Sequence, residues 1–149
     1  MAWVRSIASA TRILDLDTNQ VTMVPGSTGM FSPHWSPDGH SISALPTTSL
    51  GINIFDLATQ RWSTPWHKLA GFETWSKDSQ WIFFIEWQEN PGIYRVRASG
   101  GEAERIVDLH GLRYTGYFGV WMGLDPSDNP MILHDIGTDD IYALILGQK

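Results

Sequence analysis

The stretch PHWSPDGHSISAL, Pro33 to Leu45, decides the fold. It reads as a strand ending in Trp35, a Ser-Pro-Asp-Gly turn, and a second strand whose core side is Ile42 and Ala44. Pro37 presets φ at the first central turn position, Asp38 bonds local amides, and Gly39 tolerates positive φ. Hairpin chemistry therefore accounts for the whole turn without a ligand.

The stretch recurs. HWSPDGHSI aligns with TWSKDSQWI, placing Trp35 over Trp75, Asp38 over Asp78 and Ile42 over Ile82. VWMGLDPSDNPMIL reads as a third copy, with Trp121 in the same place and a longer turn. The other half of the unit repeats as ILDLDTNQV from Ile13, IFDLATQRW from Ile54 and IYRVRASGGEAERI from Ile93, and IYALIL from Ile141 opens a fourth copy. Each unit holds four short β-rich runs split by turn residues, and none shows helical periodicity. A period near 40 residues with four strands per unit is the signature of a propeller blade. One such sheet cannot bury both faces alone, so blades stack around an axis.

The expected fold is all-β: four-stranded antiparallel blades, three to four of them, forming an incomplete propeller in a single domain over 1–149. Blade fragments are expected at about 1–25, 31–66, 70–109 and 113–146. Trp35, Trp75 and Trp121 are expected at equivalent buried positions between blades, because aromatics recur where sheets meet. The runs number about fourteen, including Trp3 to Ile7 and IYALIL, with an outermost strand wanting after the latter, whereas closed propellers have about 4 to 8 four-stranded blades. The chain is therefore expected to be part of a larger propeller, with an open edge and an apolar face that promote self-association.

The W-S-P-D-G turn, followed by alternating apolar positions and I-x-x-x-D-L-x-T, resembles the WD-repeat-like repeats of TolB-type propellers, over nearly the whole chain and most clearly in residues 33–62. The resemblance implies a non-enzymatic scaffold that binds a protein or peptide. It favours the bacterial periplasm or another extracytoplasmic site, or a C-terminal sensory module behind other domains. Prolyl-oligopeptidase-type serine peptidases carry similar repeats in an accessory propeller, which is the enzyme-class alternative. Carbohydrate binding through exposed Trp is a third reading.

Composition narrows the chemistry. The net charge is −6 and the ten Lys and Arg are scattered, which provides no footprint for phosphate backbones. Nucleic acid is not an expected partner. Cysteine is absent, excluding disulfides and thiolate metal sites. WIFFI and IYALIL fall far short of the roughly 20 apolar residues of a membrane span. The five His have no His-x-x-x-His or His-Glu spacing, no Gly-x-Ser-x-Gly elbow occurs, and no glycine-rich loop opens a helix. No catalytic residue, metal or cofactor is expected. Asp15 with Asp17 and Asp139 with Asp140 border turns and read as solvated, and Ser99-Gly100-Gly101-Glu102 reads as a hairpin.

In a meander, the SPDG and ATQR turns lie at one end of the strands and the remaining links at the other. That other end carries Phe31, His34, Trp66, Phe72, Glu73, Glu86 and Asp135 beside His67, Trp87, Tyr114 and Tyr117. The last four are the expected partner-binding residues, since Trp and Tyr commonly anchor protein interfaces.

Overall fold

The computed structural model describes residues 10–114 and 120–138. The expected runs Trp3 to Ile7 and IYALIL lie outside these residues. Within them the chain forms twelve strands and no helix. β1 (Arg12–Leu14) and β2 (Val21–Met23) make one antiparallel pair. β3 (Met30–Trp35), β4 (Ser41–Pro46), β5 (Leu50–Asp56) and β6 (Arg61–Leu69) form one sheet in chain order. β7 (Gly71–Trp75), β8 (Trp81–Glu86), β9 (Gly92–Arg97) and β10 (Glu104–Asp108) form the next. β11 (Met122–Leu124) and β12 (Pro130–Ile132) pair as a fourth.

The turns identify which part of a blade each pair represents. Asp56 Oδ1 accepts from the Thr59 amide (2.7 Å) in the β5–β6 turn, and Asp15 Oδ1 accepts from the Thr18 amide (2.8 Å) in the β1–β2 turn. The residue that closes each turn, Gln60 or Asn19, has positive φ. β1 and β2 are therefore the outer half of a blade. By the same comparison β11 and β12, joined by an Asp-Pro-Ser-Asp turn, are the inner half of another.

Strand alternation sends successive residues to opposite neighbours, so the core lies in the seams between blades. In β4 and β5, Ile42 and Phe55 pack with Val24 toward the first blade, while Leu45, Ile52 and Ile54 face the third. In β8 the same register sends Ile82 and Phe84 back to the second blade, and Phe83 and Ile85 forward to Met122 in the fourth.

The SPDG-type turns share one hydrogen-bonded network. Ser36 Oγ donates to Asp38 Oδ1 (2.6 Å), which also accepts from the His40 amide (3.0 Å), while the Ser41 amide donates to Ser36 Oγ (2.9 Å). Ser76, Asp78, Gln80 and Trp81 repeat it at 2.5, 3.0 and 2.9 Å, although Lys77 and Ser79 replace Pro and Gly. In the last turn Asp125 takes over, with Oδ1 accepting from the amides of Ser127 (2.7 Å) and Asn129 (2.9 Å). Neighbouring turns are also tied together. Gly39, Ser79 and Asp128 all have positive φ, and the last two use their side chains toward the preceding blade. Ser79 Oγ accepts from the Asp38 amide (3.0 Å), and Asp128 Oδ1 accepts from the Lys77 amide (3.1 Å).

The expectation for the three Trp residues requires correction. Trp75 is buried, and its Nε1 donates to the His34 carbonyl (3.2 Å) across the seam. Trp35 occupies the equivalent register, opposite Ile42 as Trp75 is opposite Ile82, but it is 51% exposed. Its seam faces the first blade, whose described strands are the outer pair, and these cover Ile42 and Phe55 instead. Trp121 is 42% exposed and is not equivalent, because the residue that closes the pairing before the turn is Leu124, opposite Pro130.

Trp75→Ala should therefore destabilise the fold by about 3 to 5 kcal/mol, as large core truncations do, and Trp35→Ala by well under half of that; chemical denaturation measures both. Equal losses would contradict this packing. The Asp38 and Asp78 carboxyls are held below the ordinary 3.8, first by the Ser36 and Ser76 hydroxyls and then by the His40 and Gln80 amides. A depressed folded pKa contributes stability that is present above 3.8 and lost as pH falls through the folded value. Asp38→Ala with Asp78→Ala should lower the thermal midpoint at pH 7, and the gap from the parent should close toward pH 2. A gap independent of pH would show that ionised carboxylates are not what these turns use.

Candidate binding site

Two cavities open at the end of the strands opposite the SPDG-type turns. Neither is lined by residues 37–40 or 58–61. The first, about 490 Å³, lies between the second and third blades, lined by Trp66, His67, Glu86 and Tyr94 among others. The second, about 640 Å³, is bounded by the inner strands β3, β7 and β11, and its wall includes Phe31, His34, Phe72, Glu73, Trp87 and Trp121.

The first cavity is shaped by packing and by one acid. Trp66 packs in a tilted arrangement against Phe84 (centroids 4.9 Å apart, planes 46° apart) and donates from Nε1 to the Leu69 carbonyl (3.2 Å), so its ring belongs to the seam. Glu86 is buried at the end of β8. Its Oε1 accepts from the amides of Gln88 (2.6 Å) and Glu89 (3.1 Å), and its Oε2 from that of Asn90 (2.7 Å). This arrangement fixes the β8–β9 link. His67 is exposed at the rim, two residues before β6 ends.

The second cavity owes its form to a repeated irregularity. Pairing of β3 with β4 shifts between Phe31 and His34, and that of β7 with β8 shifts between Gly71 and Thr74. The residue inside each bulge, Ser32 or Phe72, has positive φ, and Phe72 is left 39% exposed. Trp87 lies directly on Gly71, where a Cβ would approach its ring to 2.7 Å, so only glycine allows that indole to lie there. The His34 ring donates from Nδ1 to the Glu73 carbonyl (2.7 Å), joining β3 to β7.

Glu73 is the chemical oddity. It is fully buried on β7, on the Trp75 side, and neither carboxyl oxygen has a hydrogen-bond partner. Burial pushes its pKa from 4.5 up to about 8, so it is predominantly protonated at neutral pH.

Of the four residues expected from sequence to bind a partner, His67 lines the first cavity and Trp87 the second. Tyr114 is partly buried, with its hydroxyl shielded and unpaired; burial and then the Glu86 carboxylate push its phenol above 10.0. Tyr117 lies outside the described residues. His67 and Trp87 thus line separate cavities at one end of the strands, and Tyr114 lines neither. Asp135 pairs with Arg113 (3.1 Å). The buried state of Glu73 and the cavity positions of Tyr94 and Trp121 were not foreseen. Aligning the third copy on Leu124 instead of Trp121 is the signal that reveals two of them, since it places Glu73 over Pro33 and Met122, and Trp121 over Phe72.

No family model matches the chain, and no curated protein matches it significantly. Solved structures do. TolB from Acinetobacter baumannii superposes with a TM-score of 0.57 at 26% identity, over 81% of this chain and 33% of that one. A TolB structure from Agrobacterium tumefaciens superposes with a TM-score of 0.53 at 23% identity, over 68% of this chain and 36% of that one, a likeness of fold. The chain thus spans about a third of the TolB structures it matches. The repeated Ser-x-Asp turns, the four-stranded blades and these likenesses together relate the chain to the TolB-type β-propellers.

Proposed function

We propose that the chain is a non-enzymatic propeller module that binds a protein or peptide at the strand end bearing both cavities, with His67, Trp87, Tyr114 and Tyr117 as contact residues. One observation carries the reading: both cavities open at this end, while the opposite end is occupied by turns whose polar side chains bond backbone amides. Concave, aromatic-lined surfaces with a few polar groups suit recognition, and loops held on a rigid sheet commonly supply it. The fold neighbours are TolB structures, consistent with this class. Fold alone does not fix function, so the partner must be found by contact.

A photo-crosslinking side chain placed at His67, which is exposed, should capture one discrete polypeptide in the native cell. The same group at His40, exposed on the SPDG side, should capture none. Trp87→Ala should reduce the yield at position 67 at least severalfold while thermal unfolding stays cooperative. Crosslinks confined to position 40 would overturn the assignment.

A further inference from the structure

The internal repeat supplies a control for Glu73. Counting back two residues from the last paired residue before each turn, Trp35, Trp75 or Leu124, gives Pro33, Glu73 and Met122. Two of three blades place an uncharged residue there, and Met122 is buried in its seam just as Glu73 is in its own. The fold therefore does not require a carboxyl at this position. A buried carboxyl without hydrogen bonds costs free energy that an apolar residue avoids.

We propose that the cavity bounded by β3, β7 and β11 is a binding site for an organic cation, an ammonium or guanidinium on a partner protein's side chain, with Glu73 as its counter-ion. The inference rests on the protein-binding reading above and names the chemistry of its anchor. Glu73 belongs to the cavity wall, together with the aromatic residues Phe31, Phe72, Trp87 and Trp121. Rings facing a cation attract it through their quadrupoles. Because neither Glu73 oxygen is hydrogen-bonded, turning the carboxyl into the cavity breaks no bond. On binding, the neutral acid releases its proton to solvent and the carboxylate pairs with the incoming cation.

A metal ion is a poorer match, since no three His, Cys, Asp or Glu gather around one point among the described residues. Among the described residues, the surroundings leave the counter-ion role to Glu73. β4 and β11 carry no ionisable side chain. On β3, His34 spends Nδ1 on the Glu73 carbonyl, and on β8, Glu86 is occupied by three loop amides.

The test titrates the chain with N-acetyl-lysine-N-methylamide, N-acetyl-arginine-N-methylamide and the uncharged N-acetyl-norleucine-N-methylamide, following the indole N–H resonances of Trp87 and Trp121. At least one cationic probe should bind tenfold or more tightly than the norleucine probe. Its affinity should rise about tenfold per pH unit between pH 6 and 8, where the protein must lose a proton to bind, and level off above that. Glu73→Gln should abolish both the preference and the pH dependence. Should Glu73→Gln fail to fold, Glu73→Met, which copies the Met122 seam, takes its place. Equal binding of the norleucine probe, a flat pH profile, retention of the preference without Glu73, or no binding by any probe would each overturn the proposal. Crosslinking at position 67 that persists in the Glu73 variant, alongside such a result, would remove the cation and leave the protein-binding reading standing.

Discussion

A single twisted four-stranded sheet of this size has two apolar faces and no layer of its own to cover them, and the rest of the structure follows from that constraint. Ile42 and Ile54 sit on neighbouring strands of one sheet yet belong to different cores, one shared with Val24 and the other with Trp75 and Phe84. Burial in this chain is therefore a property of blade pairs. The turn-to-turn bonds from the Asp38 amide to Ser79 and from the Lys77 amide to Asp128 serve the same end. They fix the rotation of one blade on the next at the rim, where little apolar area is available to do it.

The two ends of the strands have become different because their links face different demands. At the SPDG end, each hairpin joins adjacent strands of one sheet, and a Ser or Asp side chain is consumed in holding the turn. At the other end, the chain must also pass from the outer strand of one blade to the inner strand of the next, as at Leu69 to Gly71. A bulge follows each crossing that leads into β7 or β3, and Phe72 and Phe31 are left exposed at the second cavity. Cavities form where backbone geometry is irregular and side chains are large, and the chain meets both conditions at this end.

Much of this was legible in the sequence because a turn is a local object. Ser36 with Asp38 and Ser76 with Asp78 fix their hairpins through contacts within five residues, so the motif could be read even where Lys77 and Ser79 replace the Pro and Gly. Aligning by residue type failed where register mattered. Trp121 looked like a copy of Trp75, but the hydrogen-bonded register assigns that position to Leu124 and puts Trp121 level with Phe72. Likewise Trp35 and Trp75 share a register but not an environment, since burial depends on the neighbouring blade. That His67 and Trp87 share one end of the strands followed from strand parity. That these two line separate cavities did not, because that depends on how the blades pack.

Repeats carry a further kind of information that a single-copy fold does not. When the same backbone position occurs several times in one chain, residues that merely satisfy the fold converge on a common chemistry, and a departure is measured against its own siblings. Lys77 in place of Pro37 is such a departure at the surface, where the turn network absorbs it. Glu73 in place of Pro33 or Met122 is one in a seam, where nothing absorbs it: both oxygens are unpaired, and burial raises the pKa of the carboxyl to about 8. A local choice that conflicts with the global fold marks a place where something other than folding has set the residue. In this chain that conflict falls on the wall of the larger cavity, at the end of the strands opposite the SPDG-type turns.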